Sequence, residues 1–333
     1  MHFPKHVLLL DIETTGLDHT KDQIISIGVS FLGANEKITT THYFLEHPDE
    51  EKNLLQRFLE FLSNYEAIFT YYGKGFEFPF ILARLNYHQL DASLFLKLKL
   101  IDMKNGLRAF AKKRILLEAL FQYKRQCQST GYDIVKLYRT YTASSLSIYK
   151  TCILEHQKEE LESLLIFFEL YMSLTNAHQW ALVSESPKED ILQLKLQLPS
   201  TFKYTFSGIA YDMKFSYHKE ECYLYLDIPI FKGTLQHSLE PLKDYYYIES
   251  QKQLIHKSLA QFIPATSRRK ATKAECVISK ESTYLKLATS YKITVPLWHD
   301  AIQNTYIEYS DFNFDYLSKQ LFYLFFQNQS KRS

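Results

Sequence analysis

Glycine and proline are scarce in this sequence, with nine residues of each among 333. Because these two residues supply most tight turns and loop breaks, their scarcity argues against a chain built of long flexible loops. Aromatic residues make up 15% of the chain and are typical of packed strands and helices. The composition therefore favours an ordered globular protein, long enough for two domains.

Three further absences narrow the class of protein. The four cysteines form no CxxC pair, so neither a zinc site nor a disulfide framework is indicated, and we expect a reducing compartment. At the amino terminus, the apolar run before Asp11 is only four residues long, too short for a signal peptide or a membrane span. The formal net charge of +2 is too small to indicate any partner. We therefore predict a cytoplasmic protein without a membrane association.

The most informative stretch is residues 8–17, LLLDIETTGL. Its leucines predict a buried strand, and Asp11 and Glu13 follow two residues apart at the carboxyl end. Side chains at this spacing share one face of a strand, so the two carboxylates would lie together. Like charges this close raise each other's pKa unless a cation lies between them, which favours Mg²⁺ or Mn²⁺. The alternative is a strand end whose acids face water.

Hydrophobic periodicity predicts an α/β arrangement for the first part of the chain, with a short-looped antiparallel meander of three strands followed by β-α units. After the first strand, further strands are expected at 23–31, 37–45, 66–72 and 98–102. Helices are expected at 48–63, over most of 81–126, and within 133–174.

A polar stretch with a proline, residues 184–190, predicts a boundary between a domain over 1–180 and a second domain over 190–333. Beyond it the pattern changes to the strict alternation of an antiparallel sheet. The second domain is predicted to be α+β, with strands at 191–198, 214–217, 222–228, 275–278 and 306–309, and helices at 250–262 and 312–326.

Two more groups of reactive side chains follow the first pair of acids. Glu77 comes after a Gly-Lys-Gly turn on the fourth strand, within TYYGKGFEFP at residues 70–79. His156 and Glu160 are four residues apart and so share one face of a late helix. Taken alone, His156 and Glu160 would be an ordinary ion pair on a helix surface.

In this order, the three groups resemble the motifs of the RNase H-like 3′–5′ exonucleases of the DEDD type, in the histidine-bearing branch. Residues 11–16, DIETTG, match the first motif. The other two resemble those of YprB-type bacterial proteins, which read like TFNGKxFDxP and HNxxD. This chain departs from them at Glu77 and Glu160, which replace aspartates, and at Tyr72, which replaces an asparagine.

The resemblance implies an RNase H-like mixed five-stranded sheet flanked by helices, and a two-metal site. Asp11, Glu13, Glu77 and Glu160 would ligate two Mg²⁺ or Mn²⁺ ions, and His156 would be the general base for the attacking water. Both glutamates keep the negative charge but add a methylene, so whether they close a metal site is the open question.

The resemblance also implies where a substrate binds. Thr14, Gly16 and Leu17, after the first motif, would contact the 3′-terminal nucleotide, and Lys74 would approach a phosphate. Glycines on both sides of Lys74 are by themselves typical of a tight turn.

A basic segment in the second part of the chain follows a tyrosine-rich one at residues 245–247. Its cations are Arg268, Arg269, Lys270 and Lys273. Cations interleaved with aromatic rings favour binding of single-stranded nucleic acid, although such a run is commonly a solvated surface. Residues 244–248, 254–258 and 267–274 also resemble a carboxy-terminal extension of some YprB-type proteins.

Three functions stay open at this point. The chain is a metal-dependent 3′–5′ exonuclease acting on single-stranded DNA or RNA ends, a nucleic-acid-binding module that has lost turnover, or a scaffold whose tyrosine-rich second domain binds another protein. Acids at all four positions, together with His156, favour the enzyme. The glutamates and Tyr72 favour the module. The sequence does not distinguish DNA from RNA, because contacts to the 2′-hydroxyl depend on pocket shape.

Overall fold

A computed structural model describes residues 3–108, 110–176, 179–198, 202, 204–210, 212–287, 294–315 and 317. Across these ranges, no helix is both long enough and apolar enough to cross a membrane.

A mixed five-stranded sheet forms the centre of the first part. Its strands are β1 (Val7–Thr14), β2 (Ile24–Leu32), β3 (Ile38–Phe44), β4 (Ala67–Thr70) and β5 (Lys99–Asp102). The strand order is β3-β2-β1-β4-β5. β1 pairs with β2 and β2 with β3 in antiparallel fashion, whereas β1, β4 and β5 run parallel. The predicted meander and mixed sheet are therefore confirmed.

Both faces of β1 are buried. Leu9 belongs to one hydrophobic cluster, and Leu8 and Leu10 belong to another on the opposite face, as the period of two requires. Since Asp11 and Glu13 are also odd-numbered positions of this strand, they lie on the face of Leu9. The alternation of side chains along β1 therefore directs Asp11 and Glu13 toward the helices on the Leu9 side of the sheet.

Helices cover both faces of this sheet. They are α1 (Glu51–Leu62), α2 (Glu77–Tyr87), α3 (Ser93–Lys97), α4 (Lys104–Leu107), α5 (Arg114–Leu120), α6 (Gly131–Ser144) and α7 (Ser147–Thr175). The predicted helix at 48–63 is confirmed, with a 3₁₀ turn at Pro48–Glu50 before α1. The predicted strand at 98–102 is confirmed as β5, whereas the rest of 81–126, predicted to be mostly helical, is split among α2, α3, α4 and α5. Asp91 and Asp102 promote these breaks because their carboxylates accept backbone N–H groups of the residues that follow.

The rest of the chain is built mainly of antiparallel strands. They are β6 (Ala181–Lys188), β7 (Ile191–Gln197), β8 (Phe206–Ala210), β9 (Met213–His218), β10 (Tyr223–Ser238), β11 (Tyr245–Ile248), β12 (Gln253–His256), β13 (Arg269–Lys270), β14 (Val277–Leu287), β15 (Trp298–His299) and β16 (Thr305–Glu308). Strands β11, β12 and β13 form a three-stranded sheet, and the others form an eight-stranded sheet.

Residues 184–190, at the predicted boundary, form the end of β6 and the turn into β7, and Pro187 is tolerated on an edge strand. One prediction for this part is wrong. The predicted helix at 250–262 is instead β12 followed by the four-residue helix α8 (Lys257–Ala260). Pairing with β11 buries Ile255 beside Ile248, which an isolated helix would not do. The predicted helix at 312–326 lies mostly outside the described residues.

One hydrophobic cluster joins the two parts of the chain. It contains Leu170 and Leu174 near the end of α7 together with Leu192 and Leu194 of β7. α7 therefore extends from the first sheet into the core of the strand-rich part. The division into domains at 1–180 and 190–333 stays a prediction.

Candidate active site

Asp11 and Glu13 lie at the end of β1, where the strand passes beneath α7. Each residue is only 8% exposed, so both carboxylates are removed from water. Gln157 fixes α7 against this strand: its Nε2 donates to the carbonyl oxygen of Asp11 at 3.1 Å, and its Oε1 accepts from Ser26 Oγ at 2.6 Å. The absence of a side chain at Gly28 admits Gln157, since a Cβ there would lie 2.8 Å from its amide carbon.

Glu77 follows the Gly-Lys-Gly turn, as predicted, and is the first residue of α2. β4 ends at Thr70, and a tight loop follows it. A Cβ at Gly73 would lie 2.0 Å from Thr70 Oγ1, and one at Gly75 would lie 2.3 Å from the Tyr72 ring. This crowded loop turns the chain so that the carboxylate of Glu77 is buried, with 5% of the residue exposed.

Asp102, at the end of β5, holds the loop before Glu77. Its Oδ1 accepts the backbone N–H of Tyr72 at 2.9 Å, and its Oδ2 accepts that of Lys74 at 3.3 Å. Tyr72 has a left-handed backbone, with φ of 84°, and its ring lies 3.5 Å from the ammonium group of Lys104. The residue that replaces the family's asparagine is therefore part of the loop's own support.

His156 lies on α7 opposite the first strand. Its Nε2 is 3.5 Å from Glu13 Oε1 and 3.7 Å from Glu160 Oε1. Burial lowers the pKa of this imidazole, so it is neutral near pH 7. The structure thus brings the first and third groups of predicted residues together around one ring.

Burial leaves the acids of this site poorly compensated. It raises the pKa of Asp11 to about 7 and, reinforced by the charge of Asp11, that of Glu77 to about 8. Burial and the charge of Asp11 likewise raise the pKa of Glu13. Within the described ranges, Asp11 Oδ2, Glu77 Oε2 and His156 Nδ1 have no hydrogen-bond partner. Buried carboxylate oxygens without partners are the donors that a hard divalent cation takes, so Asp11, Glu13 and Glu77 fit such an ion chemically.

Two arginines that the sequence reasoning missed occupy the other side of Glu160. Arg114 Nη2 lies 2.6 Å from Glu160 Oε2, and its Nη1 lies 3.8 Å from Asp11 Oδ1. Arg125 pairs with Glu160 Oε1 and binds Glu118 through Nε and Nη2. Although burial raises the pKa of Glu160, Arg114 and Arg125 outweigh this effect and lower it.

The four predicted metal ligands do not form one compact centre in the described structure. Among the residues that the structure describes, no three His, Cys, Asp or Glu side chains have a spacing that would hold a metal ion. Asp11, Glu13 and Glu77 are available, whereas Glu160 is held by two guanidinium groups. Glu160 would have to exchange these partners to become a ligand.

The predicted substrate contacts surround the loop after β1. Thr14 Oγ1 donates to the carbonyl oxygen of Gly16 at 2.6 Å, and Leu17 is 83% exposed. A Cβ at Gly16 would lie 2.3 Å from the Asp22 carboxylate, so only glycine fits there without a shift. Lys74 is exposed beside the site. Leu17 and Lys74 are therefore open to a ligand, whereas Gly16 is half-buried and Thr14 is buried, and contact of these residues with nucleic acid stays a prediction.

The predicted basic strip is folded into the small sheet. Arg269 pairs with Glu249 at 2.8 Å and with Glu275 at 2.6 Å. Lys270 donates to the carbonyl oxygen of Lys243 at 2.7 Å and lies 3.8 Å from the Tyr246 ring. Arg268 donates to the carbonyl oxygen of Ala260, and its guanidinium lies 5.0 Å from the same ring. Lys273 is exposed. Much of the positive charge expected for nucleic acid is thus already engaged within the chain.

Residues 8–172, just under half of the chain, match the family described as the RNase_H superfamily. A DNA polymerase of Methanocaldococcus jannaschii is 26% identical over 136 residues, which is 38% of this chain and 8% of the polymerase. The chain therefore spans a small fraction of this curated relative.

Solved structures give distant matches. The family B DNA polymerase of Pyrobaculum calidifontis has a TM-score of 0.44 and 9% identity, over 77% of this chain and 40% of that one. A structure of exonuclease I has a TM-score of 0.28 and 11% identity, over 83% and 64%. A zinc-bound complex of E. coli exonuclease I with single-stranded DNA has a TM-score of 0.27 and 11% identity, over the same shares.

Proposed function

We propose, from the premise that residues 8–172 form an RNase H-like domain, that this chain is a metal-dependent 3′–5′ exonuclease acting on single-stranded nucleic-acid ends. The observation that carries the proposal is the burial of three acids, Asp11, Glu13 and Glu77, with Asp11 Oδ2 and Glu77 Oε2 lacking a hydrogen-bond partner in the described structure. A structural role for three such acids would be expensive, because a buried carboxylate is stable only when it is paired or bound to a cation.

In this proposal the chain's own residues divide the work. Asp11, Glu13 and Glu77 hold two divalent cations, Mg²⁺ or Mn²⁺, and Glu160 joins them when its arginines release it. When bound, such ions activate water and stabilise the leaving oxygen of a phosphodiester. His156 accepts the proton of the attacking water, and its neutral imidazole near pH 7 is the form that a general base requires.

The nucleic-acid substrate is supported by the archaeal relative, whose name is DNA polymerase. We assign Thr14, Gly16 and Leu17 to contacts with the 3′-terminal nucleotide, and Lys74 to a phosphate, because Thr14 ends β1 and the other three lie in the loops beside the acids. The basic segment near β13 would also bind the strand, but only where its cations are released from their present partners. These cations are Arg268, Arg269, Lys270 and Lys273. Two further hypotheses are a relationship to the YprB-type branch and a cytoplasmic location. The choice between DNA and RNA stays open.

The second candidate function is a nucleic-acid-binding module without turnover. The pairing of Glu160 with Arg114 and Arg125 favours it, since a permanently held Glu160 would leave the metal site one ligand short. The two candidates differ in whether a strand is shortened or only bound.

The test is digestion of 5′-labelled single-stranded DNA and RNA of mixed sequence with Mn²⁺ or Mg²⁺. We expect a ladder that shortens from the 3′ end and disappears with EDTA. Asp11→Asn keeps the side-chain shape and removes the charge, so it should abolish the ladder while the protein remains folded. Ser63→Ala, on an exposed helix end, is the matched control and should digest normally. Binding without any shortening would reject the enzyme and leave the module.

A further inference from the structure

A cleft of about 610 Å³ opens to solvent directly beside the acids, and both Glu160 and His156 line it. Its other walls come from α5, from the loop before α6, and from the first residue of α6. Three cations line this cleft: Arg114, Lys124 and Arg125. A cleft next to a phosphodiesterase site is where the strand leading to the scissile bond has to pass.

The two arginines connect the cleft to the acids. Their side chains are 19% and 18% exposed, so each guanidinium is mostly buried but still reaches the cleft surface. Glu118 steadies both groups: Arg114 Nε lies 3.3 Å from its Oε1, and Arg125 Nε lies 3.1 Å from its Oε2. Glu118 can therefore hold both side chains in place even when their contacts with Glu160 are broken.

The net charge around the two arginines determines whether they can bind a phosphate. If the five carboxylates around the arginines were all ionised, they would leave three negative charges against the two guanidinium groups. The carboxylates are those of Asp11, Glu13, Glu77, Glu118 and Glu160. A phosphodiester would be repelled from such a site. Two divalent cations add four positive charges and change the sum to one positive charge, which favours a phosphate.

We propose that Arg114 and Arg125 are the phosphate-binding residues of this cleft, and that they leave Glu160 for a strand phosphate once divalent cations are bound. The inference rests on the proposed function and deepens it, because it makes cation binding a precondition for gripping the strand. The planar fork of arginine binds phosphate and carboxylate oxygens in the same bidentate manner, so the exchange keeps the hydrogen-bonding needs of each group satisfied.

The experiment compares wild type with Arg125→Gln in two binding measurements. Calorimetry with Mn²⁺ alone reports the cation site. Fluorescence anisotropy with a labelled 12-nucleotide single strand in saturating Ca²⁺ reports the strand site, with a gel to show that the strand stays intact. Arg125→Lys tests whether charge without the fork suffices, and Arg139→Gln removes the same charge from an exposed position of α6.

We expect the two affinities to move in opposite directions in Arg125→Gln. Mn²⁺ binding should tighten severalfold, because Glu160 is freed and a competing positive charge is gone. Strand binding should weaken about 10- to 100-fold, as for the loss of a hydrogen bond to a charged group. The slope of log affinity against log salt should become shallower by about 0.7, the value for one phosphate contact with a single strand. Arg125→Lys should recover part of the strand affinity, and Arg139→Gln should match wild type.

Unchanged strand affinity and salt slope in Arg125→Gln would overturn the inference, because the arginine would then only restrain Glu160. A parallel loss of both affinities together with a lower melting temperature would also overturn it. If wild type binds neither Mn²⁺ nor the strand, the proposed function fails and the inference fails with it. The wild-type measurements therefore separate the two failures.

Discussion

Two clusters of buried charged residues in the first part of the chain differ in how far polar partners offset the burial of their carboxylates. At one, Glu51 is fully buried and is met by Arg84 Nη2 at 2.5 Å, by His88 Nε2 at 2.8 Å and by the N–H of Ile24 at 2.9 Å. These partners outweigh the effect of burial and lower the pKa of Glu51. At the end of β1, Glu13 is also buried, but it has too few partners and its pKa is raised.

The difference shows which acids are structural. Burial alone does not mark a site, since Glu51 is less exposed than Asp11 or Glu77. The acids of the candidate site are buried with too few hydrogen-bonding or ionic partners. This raises the free energy of their charged forms, and a bound cation would lower it. Three experiments test this contrast.

The largest effect is expected from Glu51→Ala. It leaves Arg84, which is 2% exposed, as an unpaired buried cation, and removing one partner of a buried ion pair costs about 3–5 kcal/mol. Urea unfolding of the metal-free protein measures this loss. Glu66→Ala, an exposed acid before β4, is the control and should change stability little. A loss below about 1 kcal/mol would show that the Glu51 cluster is not a structural ion pair.

The second effect is a pH dependence of the metal-free protein. Asp11 and Glu77 keep their protons up to about pH 7 and 8 when folded, but lose them near their ordinary pKa when unfolded. The folded state thus binds more protons between about pH 4 and pH 8, so its contribution to stability falls as pH rises through this window. We expect the melting temperature in EDTA to decline accordingly.

Glu77→Gln is the control for this profile, since a neutral side chain removes one of the titrating groups and should flatten the decline. Saturating Mn²⁺ should flatten it as well. If stability in EDTA instead rises from pH 5 to pH 8 in wild type and in Glu77→Gln alike, the acids at the end of β1 are compensated and the contrast with Glu51 is lost.

The smallest effect is expected from Arg269→Gln on β13. Arg269 forms ion pairs with two carboxylates at the protein surface, and an exposed ion pair contributes about 0–1 kcal/mol to the free energy of unfolding. Thermal unfolding should therefore change little. Strand binding should also be close to wild type if Arg269 is fully engaged by Glu249 and Glu275. A clear loss of strand affinity would show that this basic segment exchanges its partners for phosphate.

Much of the first sheet was predictable because its pattern is local. The leucines before Asp11 fix a buried strand, and the spacing of Asp11 and Glu13 fixes their shared face. The helix at 48–63 was predictable from its proline and its apolar stripe. Local patterns were sufficient where the chain follows one period for a whole element.

The rest depended on contacts that no local pattern records. Arg114 and Arg125 reach Glu160 from 46 and 35 residues away, and no motif marks them. The start of α2 at Glu77 was not predicted, because the crowding around Gly73 and Gly75, which turns the chain, arises only in three dimensions. Gln157 gave no signal, because it lies within the polar run EHQKEE at residues 155–160.

The length of α7 has a consequence for the independence of the site. This helix carries His156 and Glu160 in its first half, and its last turns bury Leu170 and Leu174 against residues of the strand-rich part. A chain cut after residue 180 would leave those leucines in water, at a cost of about 1.5–3 kcal/mol for each side chain. The position of His156 and Glu160 on α7 thus depends on residues of the strand-rich part, and substitutions there can disturb the candidate site from a distance.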